Sequence, residues 1–488
     1  MVTTRSSGAP RSRGRFGVRR GRPAQDSRPV GHPGGQQAGR RARPEAAHLG
    51  PVVGPAGGEP RAGMPRQRPD GPSASAGRGQ RLAVLAMRLG ARRSVHLLGC
   101  LIAAGWAGAF PLVSDLGNQR LWGEVAAPAY LLAGLAVVTL PRRYAGRVAA
   151  VVALLGAVLL PLGLLAANGQ HQSEVMVVER SAQLLLHTGT PYLPHPVKVT
   201  DFNPYLPAMA LFGLPRAVLG SGNEFTRVLG DARIWFALSF LSCLTVSWRL
   251  LRPTRRHSPL LPLGVLTGSP LVALMLAVGG VDLPLIGVCC LAMALAARGR
   301  TIGAGLVLAL ACTLKWTAWP ALPVAALLLW RLYGRRPAGR AALTAALAGV
   351  AVIVPFALQR PQDFLDQVIR FPLGLTSVRT PAGSPLPGKV LADLGPVGHT
   401  ISIVLLVLGG LVVAGWLLLR PPATAVAAAD LLAAGLTVAF MLAPAGRFGY
   451  LALPAVLAIW PRLAARSWTG RPSYSTRTVE SEGVAALR

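Results

Sequence analysis

Six ionisable residues stand in or beside apolar runs, and their types suit proton transfer and phosphate chemistry together. Glu174, Glu179 and Asp201 fall in one polar stretch, 168–230. Asp282 opens an apolar run in GGVDLP, Lys315 follows another in TLKWTAWP, and Arg447 precedes the last in APAGRFGY. Ionisable groups at membrane depth are costly, so they face a cavity or a partner. A carboxylate placed there can take the proton of an acceptor hydroxyl, and cations can steady a departing phosphate. The set fits a reaction at a lipid-linked phosphate. The plainer reading is that each Asp caps a helix and each Lys or Arg snorkels to the interface. The grouping of all six on one predicted face favours function over that reading.

The elements that must position these residues are apolar helices. Hydrophobic residues make up 52% of the 488-residue chain and charged ones 14%, yet the formal net charge is +32. The charge is unevenly spread, with 19 Arg against 4 acidic residues in 1–93, among Gly, Pro, Gln and Ser. That segment cannot bury enough apolar surface to offset its chain entropy, and it reads as a disordered cytoplasmic tail. No apolar run follows its first basic residues, so no signal peptide is expected. Anionic lipid is a better match than nucleic acid for a basic arm on such an apolar chain, and a solvated tail with no partner is an equal alternative.

From 94 to 466 the pattern predicts an all-α, polytopic transmembrane helix bundle of about twelve spans. The expected spans are 95–113, 124–140, 147–167, 231–250, 258–278, 281–298, 300–314, 317–332, 339–358, 399–419, 424–442 and 448–464, with a second tail over 467–488. Basic connections at 141–147, 249–257, 297–300 and 331–340 and at Arg420 then share the cytoplasmic side with both termini. The stretches 168–230 and 359–398 fall outside, with Asp282, Lys315 and Arg447.

Within 168–230, Ser173 is a candidate N-cap and Gly189 a helix stop before Pro191. Val175, Val178, Ala182 and Leu185 share one face, and Glu179, Gln183 and His187 another, as in an interfacial helix. The apolar piece 204–220 would reverse the side of 249–257 if it crossed, and it carries three prolines. It is expected to lie on the outer face. The proline-rich loop 359–398 is long enough to cap a site. His171, His187 and His195 match no zinc spacing. GSPLPGKV at 383–390 lacks the hydroxyl of a phosphate-binding P-loop. The five cysteines read as small apolar fillers. Tyr192, Tyr205, Trp316, Trp319 and Tyr450 form an interfacial belt or stack on a sugar, and the sequence does not separate these.

The chain resembles the GT-C superfamily of polyprenyl-phosphate-sugar glycosyltransferases, and within it glycosyltransferase family 87, the bacterial membrane mannosyltransferases. The likeness covers about 147–464. It rests on Glu174 leading to Gly189-Thr190-Pro191-Tyr192, on Tyr205-Leu206-Pro207, on Lys315-Trp316 before Pro320, and on Arg447-Phe448-Gly449-Tyr450. The family acid is usually Asp, and Glu174 departs from it. Three spans precede the loop where the family core usually has one. The resemblance implies an inverting transfer of a hexose such as mannose, from a polyprenyl-phosphate donor to a glycan, lipid or protein acceptor outside the cell membrane. It assigns Glu174 as general base with Asp201 or Asp282 as alternatives, Lys315 and Arg447 to the donor phosphate, and Tyr192, Tyr205 and Tyr450 to the sugar pocket. No cofactor is implied, although some GT-C relatives use a divalent metal. A transporter or flippase would instead show mid-span charges and pseudo-symmetric halves. A non-catalytic GT-C-like protein would depend on its basic tail and be indifferent to Glu174.

Overall fold

The computed structural model describes residues 93–252, 258–378 and 380–465. The expected tails, apart from Arg93, and part of the 249–257 connection lie outside the described residues.

Three helices come first: α1 (Arg93–Val113), α2 (Gly117–Thr139) and α3 (Arg142–Ala167). The long connection contains α4 (Ser173–Thr188), the short α5 (Pro207–Leu219) and α6 (Glu224–Gly230). There follow α7 (Ala232–Leu251), α8 (Leu260–Thr267), α9 (Pro270–Val278), α10 (Asp282–Ala297), α11 (Thr301–Leu314), α12 (Ala321–Tyr333) and α13 (Arg335–Gln359). The second connection holds α14 (Pro361–Phe364), a π turn over Leu365–Arg370, and α15 (Pro387–Ala392). The described residues end in α16 (Pro396–Leu419), α17 (Ala425–Leu442) and α18 (Phe448–Ala465). Among the described residues extended pairing is confined to one bridge, between Gly383 and Gly446.

Each expected span coincides with helix, but the count of about twelve crossings is not confirmed. Among the described residues eight helices are long and apolar enough to cross a membrane, and a ninth requires counting α8 and α9, bent by 75°, as one span. Ser269-Pro270 sets that bend, since Pro270 starts a helix more readily than it continues one. α10, α11 and α12 have 16, 14 and 13 residues, fewer than the ~20 that a typical bilayer needs.

α10 is the centre of the bundle, buried along its length except at Leu291. It packs on α7, α11, α12, α17 and α18. Without a hydrophobic drive between helices in lipid, close packing of small side chains holds them together. A Cβ at Gly287 would already lie 3.0 Å from Cys243 Cβ and from Phe240 Cα. Cys289, Cys290 and Cys312 are buried with free thiols, in keeping with their reading as fillers.

α4 is the expected helix, ending at Gly189 in the left-handed region at φ 75°. Its start differs from expectation. Ser173 is the first helical residue and makes no cap; the capping position is Gln172, whose N–H donates to Val278 O at 2.8 Å. Glu179 also differs. It leaves the polar face of Gln183 and His187 and is buried, accepting from Ala232 N at 3.1 Å and from Arg216 Nε at 3.2 Å. A burial-ready partner on α5 explains this: Arg216 also donates to Gly220 O and Arg227 O, so Glu179 closes a network that ties α5 and α7 to α4. Burial pushes the Glu179 carboxyl up, against the Ala232 N–H and Arg216.

The apolar piece 204–220 is, as expected, no span. It is a 3-10 turn from Pro207 to Gly213 and a single helical turn and a half from Leu214 to Leu219. Gly213 lets it cross α4 at contact, because a Cβ there would stand 2.4 Å from Val178 O and 2.8 Å from Glu179 Cα. Gly213→Ala is expected to destabilise by about 1–3 kcal/mol, the usual cost of overpacking. Thermal unfolding in detergent checks this, and an unshifted midpoint would contradict so tight a crossing.

Candidate active site

Four turns bring separate parts of the chain to one end of the bundle. The first is the start of α4, pinned to the end of α9 through Gln172 and carrying Glu174 one residue into the helix. The second is the Gly279–Val281 turn, where Gly280 takes φ +84° and a Cβ would meet Met275 O at 2.6 Å. It places Asp282 as the first residue of α10. In the third, α11 stops at Leu314, whose carbonyl accepts from Leu206 N at 3.1 Å, and Lys315 continues in extended conformation. The fourth joins α17 to α18. There Gly446 exchanges hydrogen bonds of 3.0 Å with Ala382 O and Ser384 N, so the second connection grips the backbone next to Arg447.

The turns enclose a cavity of about 110 Å³ whose wall includes Glu174, Tyr205, Lys315, Arg447 and Tyr450. Glu174 is the one carboxylate on that wall among the described residues. Arg447 Nη1 donates to Glu174 Oε1. Lys315 Nζ donates to Asp282 Oδ1 at 2.7 Å, and each side chain of that pair is 10% exposed. The ammonium also lies 4.6 Å from the Tyr450 ring centroid and 5.8 Å from that of Tyr205. Burial works against the Lys315 charge, but Asp282, Tyr450 and Glu174 outweigh it, and the amine is pushed up to about 12. The same opposition acts at Arg447: burial disfavours its charge, and Glu174 and its neighbours raise it.

Asp282 is not on the cavity wall; it stands behind Lys315 as its counter-charge. Asp201 is off the wall as well. Its carboxylate accepts from Lys198 N at 2.8 Å and Val197 N at 3.3 Å, and Arg180 Nη1 is 3.4 Å away. The Lys198 N–H above all, then Val197 N–H and Arg180, hold this carboxyl below the usual carboxylate range against modest desolvation. A carboxylate with a depressed folded value contributes stability above its unfolded value, and that contribution is lost as pH falls through the folded one. Asp201→Asn is therefore expected to unfold earlier than wild type at neutral pH, with the gap closing below pH about 4. Midpoints measured across pH 3–7 test this; a gap independent of pH would contradict it.

Tyr192 is likewise absent from the wall. Its ring packs in a separate apolar cluster with Leu206 and Val368, edge-on to Phe364 at 5.5 Å. Its hydroxyl donates to Tyr205 O at 3.0 Å, so it supports a residue that does line the cavity. His187 and His195 are exposed, and His171 Nδ1 lies 3.1 Å from Gln172 O. Among the described residues no group of three His, Cys, Asp or Glu could hold a metal ion.

Sequence reasoning missed several features. Phe202 and Phe371 stack at 4.4 Å and 14° on the cavity wall, joining the two connections. Gln367 is fully buried, accepting from Asn203 N at 3.1 Å and donating to Leu193 O at 2.8 Å. Arg233 is buried with Asp231 at 2.6 Å and donates to Ala277 O at 2.6 Å, fixing α7 to the end of α9. An Asp two residues before an Arg at a helix start was the available signal. The near P-loop has a packing explanation, since a Cβ at Gly388 would fall 2.2 Å from Leu442 O.

The family model for glycosyltransferase family 87 matches residues 203–444. This part of the chain belongs to glycosyltransferase family 87. Neither a curated protein nor a solved structure matches the chain. The family 87 segment contains Tyr205, Asp282 and Lys315. Glu174 and Arg447 flank it on either side, and the fold brings them to the same cavity. The chain is thus a multi-pass membrane protein of a glycosyltransferase family, in which sugar transfer is the activity to be accounted for.

Proposed function

We propose that the chain transfers a hexose, such as mannose, from a polyprenyl-phosphate donor to an acceptor hydroxyl on the extracytoplasmic face, with inversion at the anomeric carbon. The observation that carries this reading is the composition of the cavity wall: one carboxylate, Glu174, beside two cations, Lys315 and Arg447. The acceptor oxygen attacks the anomeric carbon, and the bond from that carbon to the phosphate oxygen breaks. The acceptor proton passes to Glu174. The leaving oxygen keeps the electron pair, so the lipid phosphate gains one negative charge, which Lys315 and Arg447 stabilise. Asp282 keeps Lys315 charged and in place. Tyr205 and Tyr450 present rings to the sugar and to Lys315. The excess of Arg in the connections at the other end supports an extracytoplasmic cavity and cytoplasmic termini.

Sugar transfer from a labelled polyprenyl-phosphate hexose in membranes tests the reading. Wild type is expected to label an acceptor, and no transfer from any such donor would overturn it.

A further inference from the structure

The two ion pairs of the cavity are built differently. Lys315 and Asp282 are fixed: both are 10% exposed, Asp282 is off the wall, and two aromatic rings flank the ammonium. Arg447 and Glu174 both lie on the wall, with side chains 25% and 17% exposed. Each is therefore within reach of whatever enters the cavity. A carboxylate that accepts from a guanidinium is a poor proton acceptor until that contact is released. The cavity, about 110 Å³, is also well under the ~300 Å³ of the smallest usual ligand pockets. A donor headgroup that enters comes into direct contact with these wall side chains.

We propose that Arg447 and Glu174 form an exchangeable latch: the donor's phosphate takes Arg447 from Glu174, and the released carboxylate becomes the base. This rests on the functional reading above. The phosphate of a polyprenyl-phosphate sugar carries one negative charge, as the carboxylate does, so the exchange leaves the charge around Arg447 unchanged. A guanidinium accommodates either oxyanion in the same planar fork. The base is thereby idle in the empty site and active once a phosphate is bound.

The latch makes Glu174 a competitor of the ligand. Removing its carboxylate is expected to tighten binding of a phosphate while abolishing its use. The measurement is equilibrium binding of a polyprenyl monophosphate, and of the corresponding uncharged polyprenol, to the full chain in nanodiscs. Glu174→Gln is expected to bind the monophosphate roughly five- to tenfold more tightly than wild type, about 1 kcal/mol of released ion pair. Polyprenol affinity is expected to be unchanged. Arg447→Ala is expected to weaken monophosphate binding alone. Equal or weaker monophosphate binding by Glu174→Gln, with Arg447→Ala still impaired, overturns the latch and leaves the phosphate site standing. No difference between monophosphate and polyprenol in wild type overturns the phosphate site itself. If Glu174→Gln loses polyprenol binding too, it has not folded, and Glu174→Ala, which also lacks the carboxylate, decides by the same comparison.

Discussion

Glu174→Gln is expected to lower the rate of sugar transfer by about 10²–10⁴-fold, the range that a general base contributes. The amide keeps the size of the side chain and can still accept from Arg447, so the fold has no reason to change. What it loses is the ability to hold a proton. Because Glu174 is the one carboxylate on the wall, no described neighbour can take over. Asp201→Asn is the matching control. It removes an acid that is occupied by two backbone N–H groups and lies off the wall, so transfer should persist within a factor of a few. Initial rates for both variants at saturating donor separate the two acids. Equal loss in both, or full activity in Glu174→Gln, would remove Glu174 from the chemistry.

The second large effect concerns the buried pair. Asp282→Asn strands the Lys315 ammonium in a setting where each partner is 10% exposed. Losing one member of a buried pair costs about 3–5 kcal/mol. Lys315→Met strands Asp282 in the same way. The double variant leaves no charge behind, so its stability should return most of the way toward wild type. The non-additivity expected for contacting residues, about 1–3 kcal/mol or more, reads this directly. Activity should follow a different pattern. The double variant should remain inactive even when folded, because the cation proposed to meet the phosphate is gone. Recovery of transfer along with stability would show that Lys315 only balances Asp282. Additive stability losses would show that the pair is not coupled.

The two experiments also mark what the sequence makes legible. Lys315 and Arg447 stand out because they lie at the predicted outer ends of apolar runs, opposite the basic connections, so their type and position point to one face. Glu174 stands out by heading an amphipathic stretch. Asp282 is equally visible as an acid, but not its task, since pairing with a lysine 33 positions later depends on how α10 and α11 fold against each other. Glu179 is misread for a related reason. Helical periodicity puts it with polar neighbours, and only the approach of Arg216 and the start of α7 makes its burial tolerable. Tyr192 shows the limit of an aromatic near a boundary: its hydroxyl serves a backbone carbonyl rather than a ligand. The count of about twelve spans goes unconfirmed where prolines and glycines divide apolar runs into pieces too short to count singly. Hydropathy sees the runs, while the breaks that build the site are set by backbone turns.

Those short pieces have a consequence for the shape of the surrounding lipid. α10 has 16 residues and α11 has 14, so at 1.5 Å per residue they rise about 24 and 21 Å against a hydrocarbon slab of ~30 Å. They are joined at one end by Arg298–Arg300 and carry Asp282 and Lys315 at the other. With the arginine end level with the headgroups, the acid and the lysine sit about 6–9 Å beneath the opposite headgroup plane. On the site and orientation proposed above, the floor of the cavity is a well sunk into the outer leaflet. A lipid phosphate would reach it by descending, and a water-borne acceptor through the rim of loops above.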